Sequence, residues 1–356
     1  MLTRALDVAR LRGDDAADRA VLEIGRRAWA LNGLLAPVER REDPRPPGVP
    51  DAVWSLVTPG LPSFADLHRL RTAQAFADRN LPAITVALFC ASLPASYGDR
   101  EGARLLAATG RMRRDLDRRI NETARFVFDV LRPNGFDAGG RAPVSIGKVR
   151  FIHASVRATM ARDARSDEAL INQEQMLGTL CLFSTFVLDA LERLGVFIDP
   201  RDAEDYVHLW CVTGAMLGID PALLPTSRKE ASALFAELKE RRFAPSEEGR
   251  ALFTDLVVGM ERHVAIFGMR ELPRMMIQHL LGAEHAGRLG LETSREPPSI
   301  SVVRRLSSIS SLRAPALAPR FGRVLLETVN ALKLGSQPVT FPMHAPAEVF
   351  PGCRAR

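Results

Sequence analysis

Apolar positions recur at helical spacing along most of the chain. In residues 1–35, Leu6, Val8 and Leu11, then Val21, Ile24, Ala28 and Leu31, predict one or two amphipathic helices. Residues 41–50 hold four prolines and four charged residues and read as a loop. A helix over 63–81 follows, then an apolar helix over 82–91 stopped by Ser92-Leu93-Pro94, then a short one over 103–108. A long arginine-rich helix is expected over 112–131. Pro133-Asn134-Gly135 and Gly139-Gly140 mark a loop before a central helix around Lys148–Arg157. Asn172 has the character of an N-cap for an apolar helix reaching Leu194, with Gly195 as its C-terminal signal. Further helices are expected over 199–218, 227–242, 247–267 and 273–281. Residues 294–320 read as a Ser- and Pro-containing loop with one helix, 321–332 as the last helix, and the tail from Gly335 as irregular.

No segment alternates with period two and no repeat of fixed length appears, so the fold class is all-α. The expected organisation is an N-terminal helical arm with its Pro-rich linker (1–50), one large helical domain (51–293) and a C-terminal loop, helix and tail (294–356).

Composition changes this picture little: 46% hydrophobic and 25% charged residues in a chain of 356 is the balance of a soluble globular protein. The net charge of +6 comes with no long basic run interleaved with aromatics, which speaks against nucleic acid. The run Met176–Leu188 is interrupted by Thr179, Ser184 and Thr185 and is too short for a transmembrane segment, while peripheral membrane contact stays open. Four scattered cysteines without a CxxC pair, and no apolar leader at the N-terminus, lead to the expectation of a cytoplasmic protein. There is no GxGxxG, Walker loop, GxSxG or HExxH, so nucleotide enzymes, α/β hydrolases and zinc peptidases find no support.

The chemistry concentrates in the central helix. Arg150, His153 and Arg157 are spaced i, i+3 and i+7 and so project from one stripe. Two guanidiniums buried without partners cost several kcal/mol each. A haem with two propionates would satisfy them while His153 ligated the iron; acidic side chains elsewhere in the chain would satisfy them equally. The helix before it carries a second stripe, Arg119, Glu122 and Thr123, continued by Phe126 and Val127. Facing an iron, that stripe supplies a cation, an acid and a hydroxyl; facing water, it is an ordinary surface ion pair.

Several ordered motifs together resemble the family of bacterial latex-clearing rubber oxygenases and the fungal oxygenase of mycophenolic acid biosynthesis. They are Ser92-Leu93-Pro94-Ala95-Ser96-Tyr97, Thr109-Gly110-Arg111, Arg119-x-x-Glu122-Thr123-x-x-Phe126 and Lys148-Val149-Arg150-x-x-His153-Ala154-x-Val156-Arg157. Ile171-Asn172-Gln173-Glu174, Gly178-Thr179-Leu180, Phe183-Ser184, Trp210 with Gly214 and Gly218, and Leu223-Leu224-Pro225 extend the likeness over roughly 60–290. The resemblance implies a haem b oxygenase with His153 as proximal ligand, Arg119 and Thr123 in the distal pocket, and dioxygen and an apolar, alkene-containing small molecule as substrates. Rubber oxygenases carry a lysine before that threonine; here Glu122 stands there, which puts lysine-gated closure and rubber itself in question. Glu101 is the candidate for the family's separate acidic pocket residue. A haem sensor or carrier, and a metal-free helical lipid-binding or scaffold protein, are the alternatives.

Overall fold

A computed structural model of the chain describes residues 2–25, 28–109, 116–160, 168–265 and 270–291. The expected loop of 294–320 and helix of 321–332 lie outside them. Every regular element is helical, and the one β feature among the described residues is an isolated bridge between Asp99 and Phe243. The first helices are α1 (Leu2–Ala9), α2 (Asp15–Ile24), α3 (Ala28–Leu35), α4 (Asp51–Val57), α5 (Leu67–Arg79), α6 (Leu81–Ala87), α7 (Leu93–Ser96) and α8 (Arg100–Thr109). Then come α9 (Leu116–Leu131), α10 (Ala142–Met160), α11 (Gln173–Phe183), α12 (Thr185–Arg193) and α13 (Pro200–Met216). The last are α14 (Arg228–Arg242), α15 (Glu247–Ala265), α16 (Leu272–Leu281) and α17 (Ala283–Arg288).

Local chemistry accounts for many of the boundaries. Asn172 caps α11 in a reciprocal box: its Oδ1 accepts from Gln175 N at 2.9 Å, and Gln175 Oε1 accepts from Asn172 N at 3.1 Å. Asp14, Asp66, Asp199 and Ser227 cap α2, α5, α13 and α14 through their side chains.

Two expectations are corrected. Ser92-Leu93-Pro94 does not stop the helix before it. Leu88–Ser92 winds as a wider π-turn, and Pro94 falls in the first turn of α7, where its missing N–H is not called on. The apolar stretch after Asn172 is not one helix. Ser184 leaves helical geometry (φ −101, ψ −97) and its Oγ bonds back to Leu180 O at 2.8 Å, so α12 starts afresh. Taken together, Gln173–Arg193 is long and apolar enough to cross a membrane by length alone, yet 67% of it is buried inside the protein.

Helix α10 is the spine. Ala142, Ile146 and Val149 on one side meet the large core cluster, formed mainly by α5–α7 and α9–α16. Val144, Phe151 and Ala154 on the other meet a second cluster made with α2, α3, α4, Val38 just after α3 and Val49 of the Pro-rich loop. The N-terminal arm is therefore packed against α10. At Gly147 the backbone of α4 comes so close that an added Cβ would overlap the Val57 carbonyl and lie 2.7 Å from Leu56 O. Gly147→Ala is expected to lower stability by about 1–3 kcal/mol, because two backbones must separate to admit the methyl; a denaturant titration with an unchanged midpoint would contradict this packing.

Candidate active site

Helices α9 and α10 pack on each other and are pinned by one buried bond, Ser145 Oγ to Asp129 Oδ2 at 2.9 Å. Burial pushes the Asp129 carboxyl above its ordinary range, against the opposing effect of Ser145 and of Arg125, Arg132 and Arg141. On its far side α9 is tied to α5 by Gln74 Nε2 donating to Val130 O at 2.9 Å.

From this pin, Glu122 lies about two helical turns back along α9 and His153 just over two turns forward along α10, about 10.5 and about 12 Å along the helix axes. The two helices thus carry a carboxylate and an imidazole at similar distances from one anchor. Glu122 is fully buried, at 0% exposure, and Phe126 and Val127 beside it are buried as well. That removes the surface ion-pair reading for this position. Thr123 is half-buried. The Arg119 backbone belongs to α9, but its side chain lies outside the described part. His153 continues the line of Ile146 and Val149 on the face toward the large core, and its Nδ1 is shut from solvent.

The arginines keep their spacing on α10, but their partners are side chains of the arm. Turning about 100° per residue places Arg150 and Arg157 some 40–60° round α10 from His153, at the seam between the two core faces. There Arg150 donates through Nε and Nη2 to Asp14 at 2.5 and 2.8 Å. Arg157 donates through Nε to Asp18 at 2.7 Å and through Nη1 to Ile171 O at 3.2 Å. Both guanidiniums are engaged by acids of the arm rather than held open for two ligand carboxylates. Burial raises the Asp18 pKa, against the attraction of Arg157. One donor remains: Arg157 Nη2 is buried and has no hydrogen-bond partner among the described residues.

A polar junction closes around these pairs. Gly218 adopts φ +93 beside the Asp14 carboxylate, where any side chain would collide with it. Gln173 Nε2 donates to Gly13 O at 2.7 Å and Gly218 O at 2.9 Å, while its Oε1 accepts from Asp220 N at 2.8 Å. Nothing local in the sequence marks Asp14, Asp18 or Gln173 as parts of this junction, since their partners are far along the chain.

Other candidates fall elsewhere. Glu101 is at the surface, 3.0 Å from Arg104. His208 accepts from Asp66 N at 3.1 Å, and His279 Nε2 sits 3.1 Å from Arg193 O. Glu174 is buried between Arg241 Nε at 2.6 Å and Arg242 Nη1 at 3.1 Å. Among the described residues no three His, Cys, Asp or Glu are grouped to hold a metal ion. A cleft of about 550 Å³ beside Leu61, Arg71 and Phe136, and a pocket of about 90 Å³ between Phe186, Phe235 and Phe243, are lined by neither α9 nor α10.

Lys148 opens the central motif and donates from Nζ to Ala36 O at 3.2 Å. Burial first, then the nearby Arg125, depresses its pKa to about 8. Between that value and its unfolded value the unfolded chain binds more protons, so Lys148 makes the fold more stable as pH rises through about 8. Lys148→Met is expected to stabilise the protein at pH 7 by about 1–2 kcal/mol and to flatten the rise between pH 8 and 10. Thermal midpoints across that range check it, and an undiminished rise in the variant would refute it.

Residues 80–309 match the family described as the catalytic domain of the ER-bound oxygenase mpaB/B′ and rubber oxygenase. A rubber oxygenase from Streptomyces sp. (strain K30) is 26% identical over 290 residues, covering 78% of this chain and 70% of that protein. The solved structure of a latex clearing protein in the closed state matches with a TM-score of 0.70 at 22% identity, over 96% of this chain and 89% of that one, which is a likeness of fold.

Proposed function

The chain belongs to the family of the mpaB/B′ oxygenases and rubber oxygenases, and from that premise we propose a haem b-dependent oxygenase of an apolar, alkene-containing small molecule, with His153 as the residue that would hold the iron. That it is an oxygenase follows from the family. The haem, the substrate class and the residue roles are this reading, and one observation carries it. A fully buried carboxylate, Glu122, and a core-facing imidazole, His153, project from two helices fixed to each other by the Asp129–Ser145 bond.

The donors suit a haem better than a metal ion bound by side chains alone. A haem would ask the protein for one imidazole on a rigid element, and His153 on the doubly packed α10 would be the residue to hold it. The unpaired Arg157 Nη2 suits one propionate oxygen, whereas Arg150 is committed to Asp14. When bound, the haem supplies the one-electron and dioxygen chemistry that no side chain offers.

The chain's own groups do the rest. Glu122, shut off from water, holds or passes a proton at its carboxyl oxygens. Thr123 offers a hydroxyl donor on the same helix, and Arg119, one turn earlier, brings a fixed positive charge. Phe126 and Val127 keep water out, which strengthens each of these interactions. An acid at position 122 is a proton donor or acceptor, not the fixed cation that a lysine would be. The named activity of the Streptomyces relative supports an unsaturated hydrocarbon-like substrate. The buried free thiols Cys90, Cys181 and Cys211 support residence in a reducing compartment.

The full chain, loaded with haemin, is expected to show a Soret band and one b-type haem per chain by the pyridine haemochrome assay. His153→Ala should abolish the axial-ligand spectrum while His279→Ala leaves it intact. Glu122→Gln should keep haem and helical content, shift the ferric spectrum, and slow turnover of an alkene panel by about tenfold or more. Arg119→Ala should act at the same place, its effect not adding to that of Glu122→Gln. Wild-type spectra and turnover in both the Glu122 and Arg119 variants would sink the distal assignment.

A further inference from the structure

The region matched to the oxygenase catalytic domain begins at residue 80, yet the arginines flanking His153 are held by carboxylates from the arm before it. We propose that Asp14 is a positioning residue for His153, acting through Arg150, so that the N-terminal arm is a working part of the site. The proposal rests on His153 being the axial ligand.

Four observations converge on it. Asp14 is itself buried, at 4% exposure, and its two oxygens meet Arg150 in a bidentate fork, the geometry that fixes direction as well as charge. The same carboxylate accepts from Ala17 N at 3.2 Å and so caps α2, which ties the fork to a helix end instead of a loose side chain. The chain makes room for it: Gly218, at φ +93, passes where any Cβ would strike the Asp14 carboxylate. A second pair, Asp18 with Arg157, repeats the contact one turn along α2 and on the other side of His153.

Together these two pairs hold α10 by the residues three before and four after the histidine. A helix gripped at both places on one seam cannot roll about its axis. Rolling is the motion that would swing His153 away from the large core, since its direction is set by the helix rotation. Asp14 touches neither His153 nor the reacting atoms. Its effect is to fix the angle at which the imidazole enters the pocket, as partners behind a metal ligand do.

A purely structural ion pair would stabilise the arm and leave the ligand's signature alone. The test therefore uses the full chain loaded with haemin and reads three quantities. They are the rate of haem transfer to excess apomyoglobin, the ferric electron paramagnetic resonance signature, and the melting temperature of the haem-free protein. Asp14→Asn keeps the shape and the cap acceptor while removing the charge. It is expected to speed haem transfer about tenfold and to shift the ferric g-values, with the haem-free melting temperature close to wild type. Arg150→Lys, which has no fork, should reproduce this, and the double variant should be no worse than either single. Glu39→Gln, which removes an ion-pair partner of Arg125 on α9 and of Arg141 just before α10 without touching α2 or Arg150, should change neither haem reading.

Wild-type transfer and g-values in Asp14→Asn overturn the proposal, and so does an equal effect from Glu39→Gln, which would mean general loosening. If Asp14→Asn does not fold, Arg150→Lys decides by the same readings. A native signature that survives His153→Ala overturns the ligand assignment and the proposal with it. Loss of that signature in His153→Ala, beside wild-type behaviour of Asp14→Asn, overturns the positioning role alone.

Discussion

A guanidinium group taken into a protein interior needs a carboxylate waiting for it, because the desolvation it suffers is several kcal/mol and only a close, hydrogen-bonded anion offsets that cost. The central helix of this protein carries two such groups, Arg150 and Arg157, and the arrangement of the N-terminal third follows from satisfying them. Asp14 and Asp18, one turn apart on α2, meet both. The arm therefore cannot sit elsewhere without leaving two buried charges unpaired. Its apolar residues, Ala17, Val21, Leu31 and Leu35, then fill the second core cluster behind α10.

The same rule holds beside that junction, at the start of α11. Arg242, with its side chain 6% exposed, is held by Asp99 at 3.0 Å and by Glu174 at 3.1 Å, and Arg241 meets both Glu174 and Asp7 of α1. Glu174 lies in the first turn of α11 and the arginines in the last turn of α14, so each charge also complements the dipole of its own helix. A polar junction at Gln173 and an ionic one at Glu174 thus hold the N-terminus of α11.

What that frame offers chemically is an acid and an imidazole held inside an apolar interior by a short, buried connection. An ionisable group in such a place is costly, and a fold keeps it where close partners offset that cost.

The sequence by itself determined the all-α class, the helix caps at Asn172 and Gly195, the loops at 41–50 and 132–141, and the central helix with its histidine. These rest on the 3.6-residue period and on residues whose backbone preferences act within one or two turns. It also determined the family, through ordered motifs. It misjudged Pro94, because a π-turn rearranges the backbone locally to accommodate a proline, and Ser184, whose hydroxyl bends a helix that hydropathy reads as continuous. Tertiary structure alone decided the partners of the arginines. Arg150 and Asp14 are 136 residues apart in the chain, and any of the 42 acidic residues meets the same electrostatic requirement. Charge specifies that a buried cation must find an anion, but only the packing of α2 across α10 selects which one, because Coulomb attraction carries no address and close packing does.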